Sequence, residues 1–551
     1  MAGSRLRLRP WQRAALDRYE TADAADFLAV ATPGAGKTTF ALTAARLTLP
    51  RIQGQLVIVA PTRHLKEQWA DAAERFGLHL DPDWSPGEGT PDDVHGVVTT
   101  YQQVGSSPAS LATIARNGFV VLDEIHHAGD DRSWGEGIRT AFGGAARRLA
   151  LSGTPFRSDS LPIPFLRYEA GQVRPDVEYG YGEALSDGRV VRPVYFPRFG
   201  GHMEWMAPDG AQVAASFDDP LIRSLANQRL RAALSLEGEW LVSVLDHAHE
   251  QLMRLRERHP DAGGLVIAMD QAHAGEIASL LRTRHNVRAT LVVSDDPDAS
   301  ERIAKFGVGS EPWIVAVRMV SEGVDLPRLR VGVYATTTTT ELFFRQAVGR
   351  IVRWTPGHGS GRAYLFIPDE ARLRHWAASI AEVRRHCLAS RDDEGGDGDG
   401  DGEDRLRRDD DEGQLSLFAV LSATVTDAPG ELDVFQDHAA DDHSADHHAE
   451  RLAEDEHLII DLQALPSPGP TSIRQTDRRQ RDRLRRLNTD LARELAVITN
   501  RPHSMVNAEM NRLAGVKKVS IATVDQLQRR ADRGDEWLAK ERRKARLSRF
   551  V

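Results

Sequence analysis

The sequence contains one cysteine, Cys387, among 551 residues. A lone thiol excludes an intrachain disulfide and a cysteine-based zinc site, and it fits a reducing, cytoplasmic setting. Cys387 itself reads as a small hydrophobe near a helix end rather than a reactive thiol. No apolar run is long enough to cross a bilayer, so no membrane partner is expected. The N-terminus, MAGSRLRLRPWQ, lacks an apolar stretch and a small-residue cleavage pattern, so export is not expected either. The chain carries 41% hydrophobic and 27% charged residues, the balance of a soluble globular protein, and its length suits two or three domains.

Net charge is -10, which as an average argues weakly against a polyanionic partner. The distribution is uneven. Residues 391–460 hold 5 Lys and Arg against 23 Asp and Glu, whereas residues 471–551 hold 21 against 10. The extremes lie behind a nearly neutral N-terminal region.

Short apolar runs alternate with helix-like segments twice, as in parallel, doubly wound sheets. The first series is expected at 27–31, 56–60, 96–100, 118–122 and 147–152, the second at 265–269, 289–293, 313–317, 331–335 and 362–367. These runs define a first domain over 1–160, a connector or small insertion over 161–245 and a second domain over 246–390. Residues 391–470 read as a disordered acidic linker, within which GQLSLFAVLSATV has the pattern of one strand or a docking segment. Residues 471–551 read as a small basic helical module, with Leu484, Leu487, Leu491, Leu495 and Ile498 on one helical face. A second helix is expected from Ser504 to Leu513, and a third from Thr523, which has capping-box spacing to Gln526.

ATPGAGKT, Ala31–Thr38, follows an expected strand and opens an expected helix, the context a phosphate loop requires. Pro33, Gly34, Ala35, Gly36, Lys37, Thr38 and Thr39 form the candidate cradle. Gly34 and Gly36 let backbone N–H groups turn inward, Lys37 neutralises β- and γ-phosphate charge, and Thr38 is a candidate Mg2+ ligand. DEIH, Asp123–His126, ends the apolar run FVVL and so lies at the C-terminal edge of the sheet. There Asp123 is placed to hold Mg2+, and Glu124 to orient and deprotonate an attacking water. The expected cofactors are ATP and Mg2+.

With these motifs in order, residues 6–370 resemble superfamily 2 helicases of the DEAD/DEAH type. The resemblance implies an ATP-hydrolysing DNA helicase or translocase built on two tandem RecA-like α/β domains. It implies that Gln12 reads adenine, and that Pro61, Thr62 and Arg63 in PTRHLKEQW and Thr99, Thr100 and Tyr101 in TTYQQV hold strand phosphates. SGTP resembles the motif that couples hydrolysis to domain movement, which implies that role for Ser152 and Thr154, with His126 as the link. VSEGVDLP resembles a motif of the second domain, which implies that Gly323 and Asp325 belong to the nucleotide site. In FFRQAVGRIVR, Gln346, Arg350 and Arg353 share one helical face by their spacing, and the two arginines are candidate fingers for the γ-phosphate. DEIH, SGTPFRSD and EALSDGRVVRPV are similar to the group containing type III restriction motor subunits, UvsW and XPB, which favours DNA over RNA. RNA unwinding stays open, as does a nucleotide-gated clamp that recruits protein partners through the C-terminal region.

Weaker signals remain. The cluster Arg478, Arg479, Arg481, Arg483, Arg485 and Arg486 suits either phosphate binding or a solvated or docking surface. His438, His443, His447 and His448 with Asp441, Asp442 and Asp446 fit a polar linker better than a metal site. No nuclease motif is evident.

Overall fold

The structure, a computed structural model, describes residues 5–87, 89–129, 132–153, 162–169, 172–293, 298–317, 326–354, 361–392, 419–424, 458–461 and 478–547. The chain forms two compact units, one of Met1–Val30, Gly36–Glu178 and Glu456–Val551, the other of Ala31–Ala35 and Tyr179–Asp455. Among the described residues no helix is long and apolar enough to cross a membrane.

The first unit is built on a parallel sheet. Leu56–Ala60 (LVIVA) and Phe119–Leu122 (FVVL) are buried along their whole length, as strands covered on both faces must be. Asp26–Ala31, Arg147–Ser152, Phe119–Leu122, Leu56–Ala60 and Gly96–Thr100 are parallel neighbours in that order. These are the five strands expected from the sequence, displaced by a residue at most. Short strands at Val177–Tyr179 and Leu80–Asp81 extend the two edges. Parallel pairing brings the C-terminal ends of the strands, and the loops that follow them, to one edge.

The second unit repeats the architecture. Ala363–Pro368, Leu329–Ala335, Gly263–Ala268, Trp313–Val317 and Ala289–Val292 are parallel neighbours, matching the second expected series. Residues 161–245 depart from the expected connector. Val194–Tyr195 and Arg198–Phe199 join the sheet through Ala363–Pro368. Phe199, Met203, Trp205, Phe217, Leu230 and Trp240 belong to the same hydrophobic core as Val266 and Val315. Ala419–Thr424, inside the segment expected to be a linker, pairs antiparallel with His202–Met206, which also pairs with Gln212–Ser216.

The C-terminal region folds as three helices, Arg478–Thr499, His503–Ala514 and Val524–Leu547. The expected capping box is present: Thr523 N–H donates to Gln526 Oε1 (2.9 Å), and Gln526 N–H donates to Thr523 Oγ1 (3.2 Å). Leu491, Leu495, Val506, Met510 and Leu538 share its core. Leu487 is a correction to the expected stripe, being 42% exposed, because the inward position is taken by Asn488. The Asn488, Asn507 and Asn511 side-chain oxygens accept from the three nitrogens of buried Arg530.

Rather than standing apart, these helices are part of the first unit. Arg481 pairs with Asp93, whose other oxygen accepts the Val524 N–H (2.9 Å). Arg485 reaches Asp81 (3.2 Å) and Asp83 (3.1 Å). Arg5–Leu8 pairs antiparallel with Leu458–Asp461. Two members of the arginine cluster, open between phosphate binding and a solvated or docking surface, are therefore committed to carboxylates of the same unit.

Candidate functional site

In the first unit, helix Lys37–Thr48 begins at Gly36, whose φ of 91° is left-handed backbone that glycine adopts without a Cβ penalty. The Gln12 side chain braces this turn. Its Nε2 donates to the Gly36 carbonyl (2.9 Å), and its Oε1 accepts the Arg9 N–H (2.8 Å). Thr38 and Thr39 lie half-buried in the first turn of the helix.

Lys37 Nζ lies 2.8 Å from Glu124 Oε1. Glu124 follows the strand Phe119–Leu122 in a left-handed conformation (φ 47°), which costs roughly 1–2 kcal/mol for a residue with a Cβ. Its second oxygen accepts the Gly153 N–H (2.9 Å). A Cβ on Gly153 would lie 3.0 Å from Lys37 Nζ and 3.4 Å from Glu124 Oε1, so the close approach depends on glycine. Burial pushes the Glu124 acid up, but Lys37 and His126 override it and, with the hydrogen bonds, hold it at about 2. Burial and the Glu124 charge push Asp123 the other way, up to about 6. The neighbouring acids thus occupy different electrostatic states.

Asp123 is fixed from two directions. Its Oδ2 accepts the Trp69 indole N–H (2.8 Å), and its carbonyl accepts the Tyr101 hydroxyl (2.8 Å). Its carboxylate and the Thr38 hydroxyl are the hard oxygen donors that suit Mg2+, and the raised Asp123 acid is one that a cation would relieve. Buried His126 places Nδ1 3.6 Å from Glu124 Oε2 and 3.5 Å from Ser152 Oγ. Among the described residues no cluster of three or more His, Cys, Asp or Glu is arranged to hold a metal. The His438–His448 group lies outside them.

The expected strand-contact residues divide. Pro61 and Thr62 are half-buried and Arg63 is exposed at the start of helix Arg63–Arg75. Thr100 caps helix Tyr101–Ser106 by accepting the Gln103 N–H. The side chains of Thr99 and Tyr101 are fully buried, with the Thr99 hydroxyl donating to Gln103 Oε1 and the Tyr101 hydroxyl committed to Asp123, which leaves their backbone for the expected contact.

In the second unit, helix Glu341–Ile351 carries half-buried Gln346 and buried Arg350. Arg353 departs from the expected helical face, because the helix ends at Ile351 and Arg353 instead bridges Val191. Arg192 donates to the Arg353 carbonyl, and burial together with Arg330 lowers Arg192 to about 9. The segment Ala31–Ala35 packs within this unit: the Thr32 N–H donates to the Tyr179 carbonyl (2.9 Å), and a Cβ on Gly34 would meet Arg353 Cγ at 3.4 Å. Thr154, Gly323 and Asp325 lie outside the described residues. Cys387 donates to the Gly182 carbonyl (3.4 Å). Sequence reasoning missed Trp69 and Gly153; the tryptophan eight residues after Pro61 was the available signal.

Residues 5–157 match the family model described as the res subunit of type III restriction enzymes. The chain is 38% identical over 564 residues to the uncharacterized protein ML1624 of Mycobacterium leprae, covering 95% of this chain and 93% of that one. It is 48% identical over 391 residues to the uncharacterized protein Rv2917 of Mycobacterium tuberculosis, covering 69% of this chain and 64% of the relative, so it spans just under two thirds of that protein. Over 337 residues it is 26% identical to the putative DNA 3'-5' helicase Rad25 of Haloarcula marismortui, covering 60% and 48%.

Proposed function

Since the chain belongs to the superfamily 2 helicases, in the group of type III restriction Res subunits and Rad25/XPB proteins, we propose that it hydrolyses ATP to move along or remodel DNA. The observation that carries this reading is Glu124 held between the Lys37 ammonium and the Gly153 N–H at the C-terminal edge of a parallel sheet. A carboxylate kept ionised there suits a general base once the ammonium turns to phosphate.

In this reading Gln12 recognises adenine, and Pro33–Thr39 with Lys37 cradle the phosphates. Asp123 and Thr38 hold Mg2+, which when bound neutralises phosphate charge. Glu124 orients water and takes its proton. Gln346, Arg350 and Arg353 of the second unit serve the γ-phosphate, with Gly323 and Asp325 completing the nucleotide contacts. Pro61, Thr62, Arg63 and Thr100 contact a strand, and His126, Ser152 and Thr154 couple hydrolysis to movement. DNA is favoured over RNA by the relative described as a DNA helicase.

The test compares ATPase rates of the full chain with duplex DNA, single-stranded DNA and RNA, alongside strand displacement on forked and gapped substrates. Duplex DNA should stimulate most, and Glu124→Gln should abolish turnover while ATP still binds. Preferential stimulation by RNA would replace DNA as the substrate. Turnover without displacement or translocation would support a clamp. Absence of hydrolysis with every polymer would overturn the motor reading.

A further inference from the structure

Trp69 and Tyr101 belong to the two segments proposed above for strand contact, yet both side chains are buried and bonded to Asp123. Trp69 lies in helix Arg63–Arg75, is 2% exposed, and directs its indole N–H at Asp123 Oδ2 (2.8 Å). Tyr101 opens helix Tyr101–Ser106, is fully buried, and directs its hydroxyl at the Asp123 carbonyl (2.8 Å). At Tyr101, packing alone would be met by phenylalanine, which lacks only the hydroxyl oxygen. Burying an N–H and an O–H is tolerated because each has a partner, and both partners are atoms of one residue.

The two segments are also tied to each other. Lys66 Nζ, on the Trp69 helix, donates to Gln103 Oε1 (3.1 Å), which also accepts from the Thr99 hydroxyl (3.1 Å) and the Thr100 N–H (3.2 Å). A displacement of either segment is therefore shared by the other. Trp69 lies six residues beyond Arg63, about 9 Å along a helix rising ~1.5 Å per residue, so a shift of the exposed end is carried to the indole by a rigid element.

We propose that Trp69 and Tyr101 are positioning residues that convey occupancy of the segments at Pro61–Arg63 and Thr99–Thr100 to the orientation of Asp123. The indole sets the carboxylate and the phenol sets the backbone beneath it. A ligating carboxylate oriented through its second oxygen holds a cation better than one free to rotate. Strand binding thereby improves metal-nucleotide geometry without adding a group to the site. This inference rests on the motor reading and specifies how its two functions are joined.

The experiment uses the full chain carrying Trp69→Phe or Tyr101→Phe, with wild type as control. Duplex affinity is read by fluorescence anisotropy, ATPase by steady-state rates at saturating duplex, and cation affinity by electron paramagnetic resonance of Mn2+ with a non-hydrolysable ATP analogue. Each variant should keep duplex affinity within about threefold, lose about tenfold in stimulated rate, and need about tenfold more Mn2+ for half-saturation, as outer-shell changes at metal sites do. Wild-type rate and Mn2+ affinity in the variants, or a rate deficit traced wholly to weaker duplex binding, would overturn the proposal. Tyr101→Phe removes one oxygen and decides the matter if Trp69→Phe does not fold. A wild-type chain that no nucleic acid stimulates would defeat the motor reading and this inference with it, and that control is read before any variant.

Discussion

The Lys37 ammonium lies 2.8 Å from Oε1 of Glu124, so the phosphate-loop cation and the proposed base are bound to each other. Glu124, held at about 2 in the fold, is depressed relative to an ordinary carboxylate. Its contribution to stability is present above the unfolded-state value and is lost as pH falls through about 2, a window of roughly pH 4.5 to 2. Lys37→Met should flatten this part of the acid limb of melting temperature against pH. A limb identical to wild type would mean that the pair contributes nothing to the fold.

Gly153 leaves room for that pair. Gly153→Ala places a Cβ 3.0 Å from Lys37 Nζ, the end of a flexible side chain, so folding should suffer by less than about 1 kcal/mol. Catalysis should suffer more, with kcat falling about tenfold as the carboxylate leaves its place. Steady-state kinetics with a parallel melting curve separates the two effects.

Gln12 ties the start of the first helix to the phosphate loop by bonding Arg9 N–H and Gly36 C=O. Gln12→Ala removes both bonds from a buried position and should weaken ATP binding by about 1–2 kcal/mol. Preference for ATP over GTP should fall as well. Equal binding of the two nucleotides in wild type would remove the adenine-reading role.

Asp93 accepts both Arg481 and the Val524 N–H, and the Arg481 side chain is 4% exposed. Asp93→Ala should leave a buried guanidinium without its carboxylate, bonded only to the Ala522 carbonyl (3.3 Å), at a cost of about 3 kcal/mol. The expected readout is a lower melting temperature with release of the C-terminal helices under mild proteolysis. Unchanged protease resistance would show the pair to be dispensable for docking.

Much of this was readable in the sequence where the cause is local. LVIVA at 56–60 and WIVAV at 313–317 read as candidate strands of a covered sheet, and both are found at those residues. The left-handed turn at Gly36 and the meeting of Lys37 with Glu124 followed from residue type and position after apolar runs. The expected pairing of Thr523 with Gln526 needed only a spacing of three. What escaped depends on partners far along the chain. The Trp69 indole finds Asp123 54 residues away, and nothing in PTRHLKEQW names that acceptor. The arginines at 481 and 485 advertised positive charge, but charge does not specify whether phosphate or carboxylate answers it. Arg353 obeys the helical spacing of its neighbours, yet the helix ends at Ile351 before reaching it.

The docking of the last helices onto Asp81, Asp83 and Asp93 bears on the order of synthesis. Arg481 and Arg485 are made 388 and about 400 residues after the acids they meet. At ~5–20 residues per second, the emerging nucleotide-binding unit waits roughly 20–80 s with those carboxylates unanswered. Its sheet is therefore made long before the helices whose docking completes it.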